Sequence, residues 1–147
     1  MWVDGNDSLI LKPITRILDQ YTWSVSSAKI LIAAEANCWP DSSLMDQYPF
    51  GAEPRFINSG GWIGPTSLLV AILCRLSTLA TTEDDQLEWT KLFLSGVKGI
   101  AIDHGRRVFA SISDGQAALD CDSCVKHWNG RVPGREEYYE RFAAQHR

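Results

Sequence analysis

A chain of 147 residues with 45% hydrophobic side chains is long enough to bury one core and short for two, so a single domain over residues 1–147 is expected. Its formal charge of −4 and isoelectric point near 5.3 leave no basic face to neutralise a phosphate backbone, and nucleic acid is not an expected partner. No apolar run reaches the roughly 20 residues that cross a bilayer. The first residues also lack the basic start and apolar stretch of a signal peptide, so no membrane span is expected and the compartment stays open.

Trp2 and Val3 read as the end of a strand, because Asp4-Gly5-Asn6-Asp7 follows at once with turn chemistry. From Pro13, the spacing of Ile14, Ile17, Leu18 and Tyr21 predicts a helix with proline in its first turn, where a missing N–H costs nothing. Lys29 to Ala34 is a short apolar run suited to a buried strand, with Glu35 at its C-terminal end. Asn37 to Pro54, with three prolines, reads as a long functional loop. Phe56-Ile57 leads into Asn58-Ser59-Gly60-Gly61-Trp62-Ile63-Gly64, whose glycines permit a close backbone approach.

Pro65 to about Leu79 is expected to be a helix with Leu68, Leu69, Ile72, Leu73 and Leu76 on its apolar face. Thr82 is expected to cap a second helix through Leu94, with Glu83, Asp84 and Asp85 in its first turn. Gly99–Ile102 and Arg107–Ile112 read as a hairpin-like pair, Val125–Trp128 as one more strand, and Pro133–Gln145 as a charged helix with Tyr138, Phe142 and Ala143 on one side. Four cysteines are too few for a disulfide scaffold. Cys121-Asp122-Ser123-Cys124 lacks the two further ligands a structural zinc needs, and reads as an incidental pair or a local disulfide.

Chemistry-bearing residues fall into small groups with two readings each. Asp4-x-x-Asp7 offers two hard oxygen donors suited to Mg²⁺ or Mn²⁺, yet aspartates are also ordinary turn formers. Asp84-Asp85 in a first helical turn would stabilise the macrodipole by about 0.3–1 kcal/mol, and could equally accept a proton or a sugar hydroxyl. His127 beside a glycine turn is either structural or a ligand. Trp39 and Trp62 can stack on a sugar face or fill a core. Glu35, Asn37 and Trp39 put a strand-end carboxylate, an amide and an indole within a few residues.

Taken in order, Asp4-x-x-Asp7, Ala34-Glu35-x-Asn37-Cys38-Trp39-Pro40-Asp41, Asn58-Ser59-Gly60-Gly61-Trp62-Ile63-Gly64, Asp84-Asp85-Gln86 and His127-x-Asn129-Gly130 resemble the glycosyltransferase domain of procollagen lysyl hydroxylases. The resemblance runs from Trp2 to about Arg131 and does not include the last helix. It implies an α/β, GT-A-like fold, an open Rossmann-type mixed sheet that holds a UDP-sugar and a divalent cation, usually Mn²⁺. It further implies Asp4, Asp7 and His127 as metal ligands, Asp84 and Asp85 as an acidic pair near the donor sugar, and Asn129 as a contributor to transfer. Glu35 and Trp39 would border the acceptor and donor pocket, with Asn58, Gly60, Gly61 and Gly130 against the nucleotide-sugar.

The implied reaction is metal-dependent transfer of a hexose from a UDP-hexose to a hydroxyl acceptor of the collagen hydroxylysine or galactosyl-hydroxylysine type. Members of that family work in the endoplasmic reticulum and secretory pathway. A GT-A domain ordinarily has strands before its metal aspartates that form the uridine pocket. With the first aspartate at residue 4, the expectation is a partial domain lacking those strands. The alternative is a catalytically silent fragment or carbohydrate-binding module of the same fold. Lysyl hydroxylation is not expected from these residues.

Overall fold

Alternation along one central strand decides where the core sits. In the computed structural model, which describes residues 1–25, 29–79, 83–112, 121–129 and 135–145, strand β3 (Ile30–Glu35) is buried along its whole length. Successive side chains of a strand point to opposite faces. Ile30 and Ile32 accordingly pack with Leu69, Ile72, Trp89 and Leu92 of two helices, while Leu31 and Ala33 pack with Ile17, Phe109 and Val125. Each such aliphatic side chain contributes about 1.5–3 kcal/mol on burial, which explains the unbroken apolar run.

Two mixed sheets result. In the first, β1 (Trp2–Val3), β4 (Phe56–Ile63), β3 and β5 (Ile100–Ile102) lie in that spatial order, with β3 antiparallel to β4 and parallel to β5. In the second, β7 (Val125–His127) sits between β2 (Ser8–Ile10) and β6 (Phe109–Ser111). Helices α1 (Ile14–Ser24), α2 (Thr66–Leu79), α3 (Asp85–Leu94) and α4 (Arg135–Gln145) complete the described elements. None of the described helices is long and apolar enough to cross a membrane.

Several local expectations are corrected. Strand β2 was not foreseen, and β4 continues through Asn58-Ser59-Gly60-Gly61, with a shift of register against β3 between Ile32 and Ala33. The glycines are required there by the second sheet, whose rings lie on the strand: a methyl group at Gly61 would meet Cδ1 of Phe109 at 2.6 Å, and one at Gly60 would overlap the His127 imidazole. Within α1, Ile17 is buried and Tyr21 packs on the core, but Ile14 and Leu18 are exposed. In α2, Leu73 also faces outward. The expected cap Thr82 lies outside the described residues. Asp84 is the N-cap of α3, its Oδ1 accepting from Leu87 N–H at 2.9 Å. The long loop contains a 3₁₀ turn over Ser42–Gln47, capped by Asp41. Tyr138 of α4 packs against Trp128, Ala143 is exposed, and the Phe142 side chain lies outside the described residues. Cys121 and Cys124 are free thiols, so the local disulfide is not formed.

The hairpin expected from β5 and β6 does not form, since the two strands belong to different sheets. Asp103 is the reason. Its backbone N–H donates to Ile32 O at 2.8 Å, continuing the β5 ladder. Its carboxylate accepts from the N–H groups of Arg107, Val108 and Phe109 at 3.2, 2.8 and 2.9 Å, turning the chain into the second sheet. Burial pushes this carboxyl above its ordinary value, with the three N–H bonds pulling the other way. Asp103→Ala would strand three amide hydrogens and should cost about 3 kcal/mol or more. Urea denaturation reads this as a lower midpoint, and an unchanged midpoint would show that the turn forms without the carboxylate.

Candidate functional site

The turn Asp4–Asp7 carries the chain from β1 of the first sheet to β2 of the second. Two backbone bonds pin it: Asp4 N–H donates to Gly60 O at 3.0 Å, and Trp128 N–H donates to Asp7 O at 2.8 Å. His127, the last residue of β7, lays its imidazole on the bare backbone of Gly60. Asp4, Asp7 and His127 thereby present one oxygen, one oxygen and one nitrogen that lie within 4.8 Å of one another.

Within this group, His127 Nε2 stands 3.1 Å from Asp7 Oδ1, and that oxygen is buried without a hydrogen bond. Burial lowers the imidazole pKa against the opposing pull of Asp7 and Asp4. Burial also raises the Asp7 carboxyl, with His127 opposing. Desolvation leads on both partners, so the imidazole is kept neutral and its nitrogen available. Two carboxylate oxygens and one neutral imidazole nitrogen fit a divalent cation such as Mn²⁺ as a donor set.

A hydrogen-bonded wall faces this group. Glu35, 3% exposed at the end of β3, accepts from Gln86 Nε2 through Oε1 and from Asn129 Nδ2 at 2.7 Å through Oε2. The Gln86 Nε2 also donates to Trp39 O at 3.1 Å. Its Oε1 accepts from Ser59 N–H at 3.2 Å and Asn58 Nδ2 at 3.4 Å. Ser59 Oγ donates to Asp85 Oδ1 at 3.2 Å. Between the wall and the Asp/Asp/His group lies a cavity of about 570 Å³.

Of the residues singled out in the sequence, Asp4, Asp7, Glu35, Trp39, Asn58, Gly60, Asp85, His127 and Asn129 line this cavity together. Asp84 is engaged at the helix cap and Gly61 lies against Phe109. Gly130 lies outside the described residues. Sequence reasoning gave no role to Gln86. One signal was available: a polar amide three residues before Trp89 on the same helical face occupies an inward position, where an unpaired polar group would be costly.

The chain matches a family model described as the PLOD GT domain over residues 1–132. It is 34% identical over 145 residues to the Homo sapiens multifunctional procollagen lysine hydroxylase and glycosyltransferase LH3, covering 95% of this chain and 19% of that protein. To the procollagen-lysine,2-oxoglutarate 5-dioxygenase of Drosophila melanogaster it is 36% identical over 118 residues, covering 76% of this chain and 16% of the relative. This chain therefore spans under a fifth of the length of both curated relatives. Among solved structures, a glycosyltransferase involved in the glycosylation of the major capsid of PBCV-1 aligns over 97% of this chain and 65% of its own. The TM-score is 0.54 at 18% identity, a likeness of fold.

Proposed function

The chain belongs to the family of PLOD glycosyltransferase domains, and on that premise we propose that it transfers a hexose from a UDP-hexose to a hydroxyl acceptor, assisted by Mn²⁺ or a similar divalent cation. The observation that carries the metal requirement is the sign of the cavity. Asp4, Asp7, Glu35 and Asp85 supply four carboxylates, and no Lys or Arg is among the described residues that line it. A diphosphate brought to roughly 5 Å from a carboxylate at an effective dielectric constant near 20 meets about 3 kcal/mol of repulsion per charge pair. Such a ligand is tolerated only with a cation between.

In this reading Asp4, Asp7 and His127 hold the ion, which when bound neutralises the charge that grows on the departing diphosphate. The protein's own groups orient the rest. Asp85 is placed to accept a sugar hydroxyl or to stabilise positive character at the anomeric carbon, and Asp84 supports it by fixing the start of α3. Asn129 and Glu35 form one hydrogen-bonded edge of the cavity, and Asn58 and Gly60 form the floor. Trp39, 65% exposed at the cavity wall, offers an indole face to a sugar ring. The acceptor we propose is the hydroxyl of a collagen-like hydroxylysine or its galactosylated form. The two mixed sheets are read as a single GT-A-like domain, supported by the fold shared with the viral glycosyltransferase.

Calorimetric titration of UDP into the chain with and without Mn²⁺ tests this. UDP is expected to bind only when Mn²⁺ is present. Equal binding in a chelator would overturn the metal requirement. Absence of heat under both conditions would overturn the donor site and favour a carbohydrate-binding module centred on Trp39.

A further inference from the structure

Amide orientations around the cavity can be fixed from backbone N–H groups, which only donate. Ser59 N–H points at Gln86 Oε1, so the other end of that side chain is its NH₂. There it meets the Glu35 carboxylate and the Trp39 carbonyl, both acceptors. Gly60 N–H points at Asn58 Oδ1 at 3.0 Å, so the Asn58 NH₂ faces Gln86 Oε1, again in agreement. Asn58 Oδ1 is therefore an acceptor, and it lies 3.0 Å from His127 Nδ1.

We propose that Asn58 is a positioning residue that holds His127 as its Nδ1–H tautomer and so presents a bare Nε2 lone pair to the Asp4 and Asp7 carboxylates. The inference rests on the reading of these three residues as a cation site, but the tautomer belongs to the metal-free chain. A neutral imidazole carries one N–H. If Nδ1 carries it, Nε2 keeps a lone pair on the side where Asp7 Oδ1 stands 3.1 Å away, a spacing at which the two need a cation between them. An Nε2–H tautomer would instead donate to Asp7 and face Asn58 Oδ1 with a second acceptor. The glutamine extends the control, since Gln86 and Glu35 hold the Asn58 amide in the one orientation that works. Partners of this kind set the ring orientation and ligand basicity of metal-binding histidines.

Nitrogen-15 NMR of the full chain with labelled histidine, in a chelator at mildly alkaline pH, reads the tautomer directly. The chain has 3 histidines, and the His127 signals are those lost in His127→Ala. His104 is an internal standard, because its Nδ1 lies 2.7 Å from Pro54 O and can only donate there. The expected result is a protonated-type shift on Nδ1 of His127 and a lone-pair-type shift on Nε2. Asn58→Leu should abolish that preference and weaken Mn²⁺ binding roughly 10–100-fold. Asn58→Asp keeps an oxygen for Nδ1–H and Gly60 N–H and should retain the tautomer, which answers the case in which the leucine variant does not fold.

An Nε2–H tautomer in the wild type overturns the proposal even where Mn²⁺ binds normally. So does an unchanged tautomer in a folded Asn58→Leu chain. A wild type with the Nδ1–H form that binds no Mn²⁺ supports the Asn58 assignment and overturns the cation reading, so the two failures are distinguishable.

Discussion

Asp7→Ala should lower Mn²⁺ affinity by about 3 kcal/mol, roughly 100-fold, while leaving the metal-free chain as stable as before or slightly more so. The two halves of this expectation have one cause. Asp7 Oδ1 is buried and crowded by His127, so in the absence of an ion its desolvation cost outweighs what His127 returns. Burial has already pushed its carboxyl upward. With an ion present, the same oxygen becomes a ligand, and removing it deletes a charge–charge contact in a poorly hydrated place. Calorimetry with Mn²⁺ and a thermal scan in a chelator read the two effects separately. Unchanged affinity would move the ion away from this group, and a large loss of metal-free stability would make Asp7 a structural turn residue.

Gly60→Ala should be as damaging to the site and more damaging to the fold. A methyl group there would overlap the His127 ring, which is buried and held at Nδ1 by Asn58. The ring cannot swing away without losing the contact to Asn58, and β4 cannot retreat without breaking the Asp4 N–H bond to Gly60 O. Overpacking of this kind costs about 1–3 kcal/mol, and the upper end is expected because both partners are pinned. Truncating the ring relieves the clash, so adding His127→Ala in the Gly60→Ala background should recover most of the lost thermal stability without recovering Mn²⁺ affinity. Stability of the double variant equal to the sum of the two single losses would show that glycine and ring do not meet.

Asp7 and Gly60 are legible in the sequence to different degrees. Asp7 and His127 were legible as members of an ordered set of motifs, and β3 and α2 were legible from apolar spacing, because periodicity records which face of an element is buried. Gly60 was legible as a residue of special conformation, but not as a strand residue. Glycine disfavours strands in general, and only the rings of Phe109 and His127, brought in by the second sheet, turn that local preference into a requirement. Strand β2, three residues long, is too short for any period to show. The hairpin was misjudged because one carboxylate, Asp103, redirects the chain, and a hydrogen-bond pattern of that kind has no compositional trace. The amide chain was out of reach for the same reason: its links join residues 28, 51 and 69 positions apart.

The turn from Asp4 to Asp7 is the passage from one sheet to the other, and that position has a cost for the molecule as a whole. Converging carboxylates repel, and here they do so on the seam along which the two layers meet. If these side chains hold a cation as proposed, the empty site is a wedge and the filled one a rivet, with occupancy worth RT ln(1 + [ion]/Kd), or about 2.7 kcal/mol at a hundredfold excess over Kd. Chemistry and cohesion draw on the same three side chains. The arrangement would trade resilience of the metal-free chain for readiness of the site, and a mutation that made the empty seam comfortable would do so by dulling the electrostatic demand that would bring an ion there.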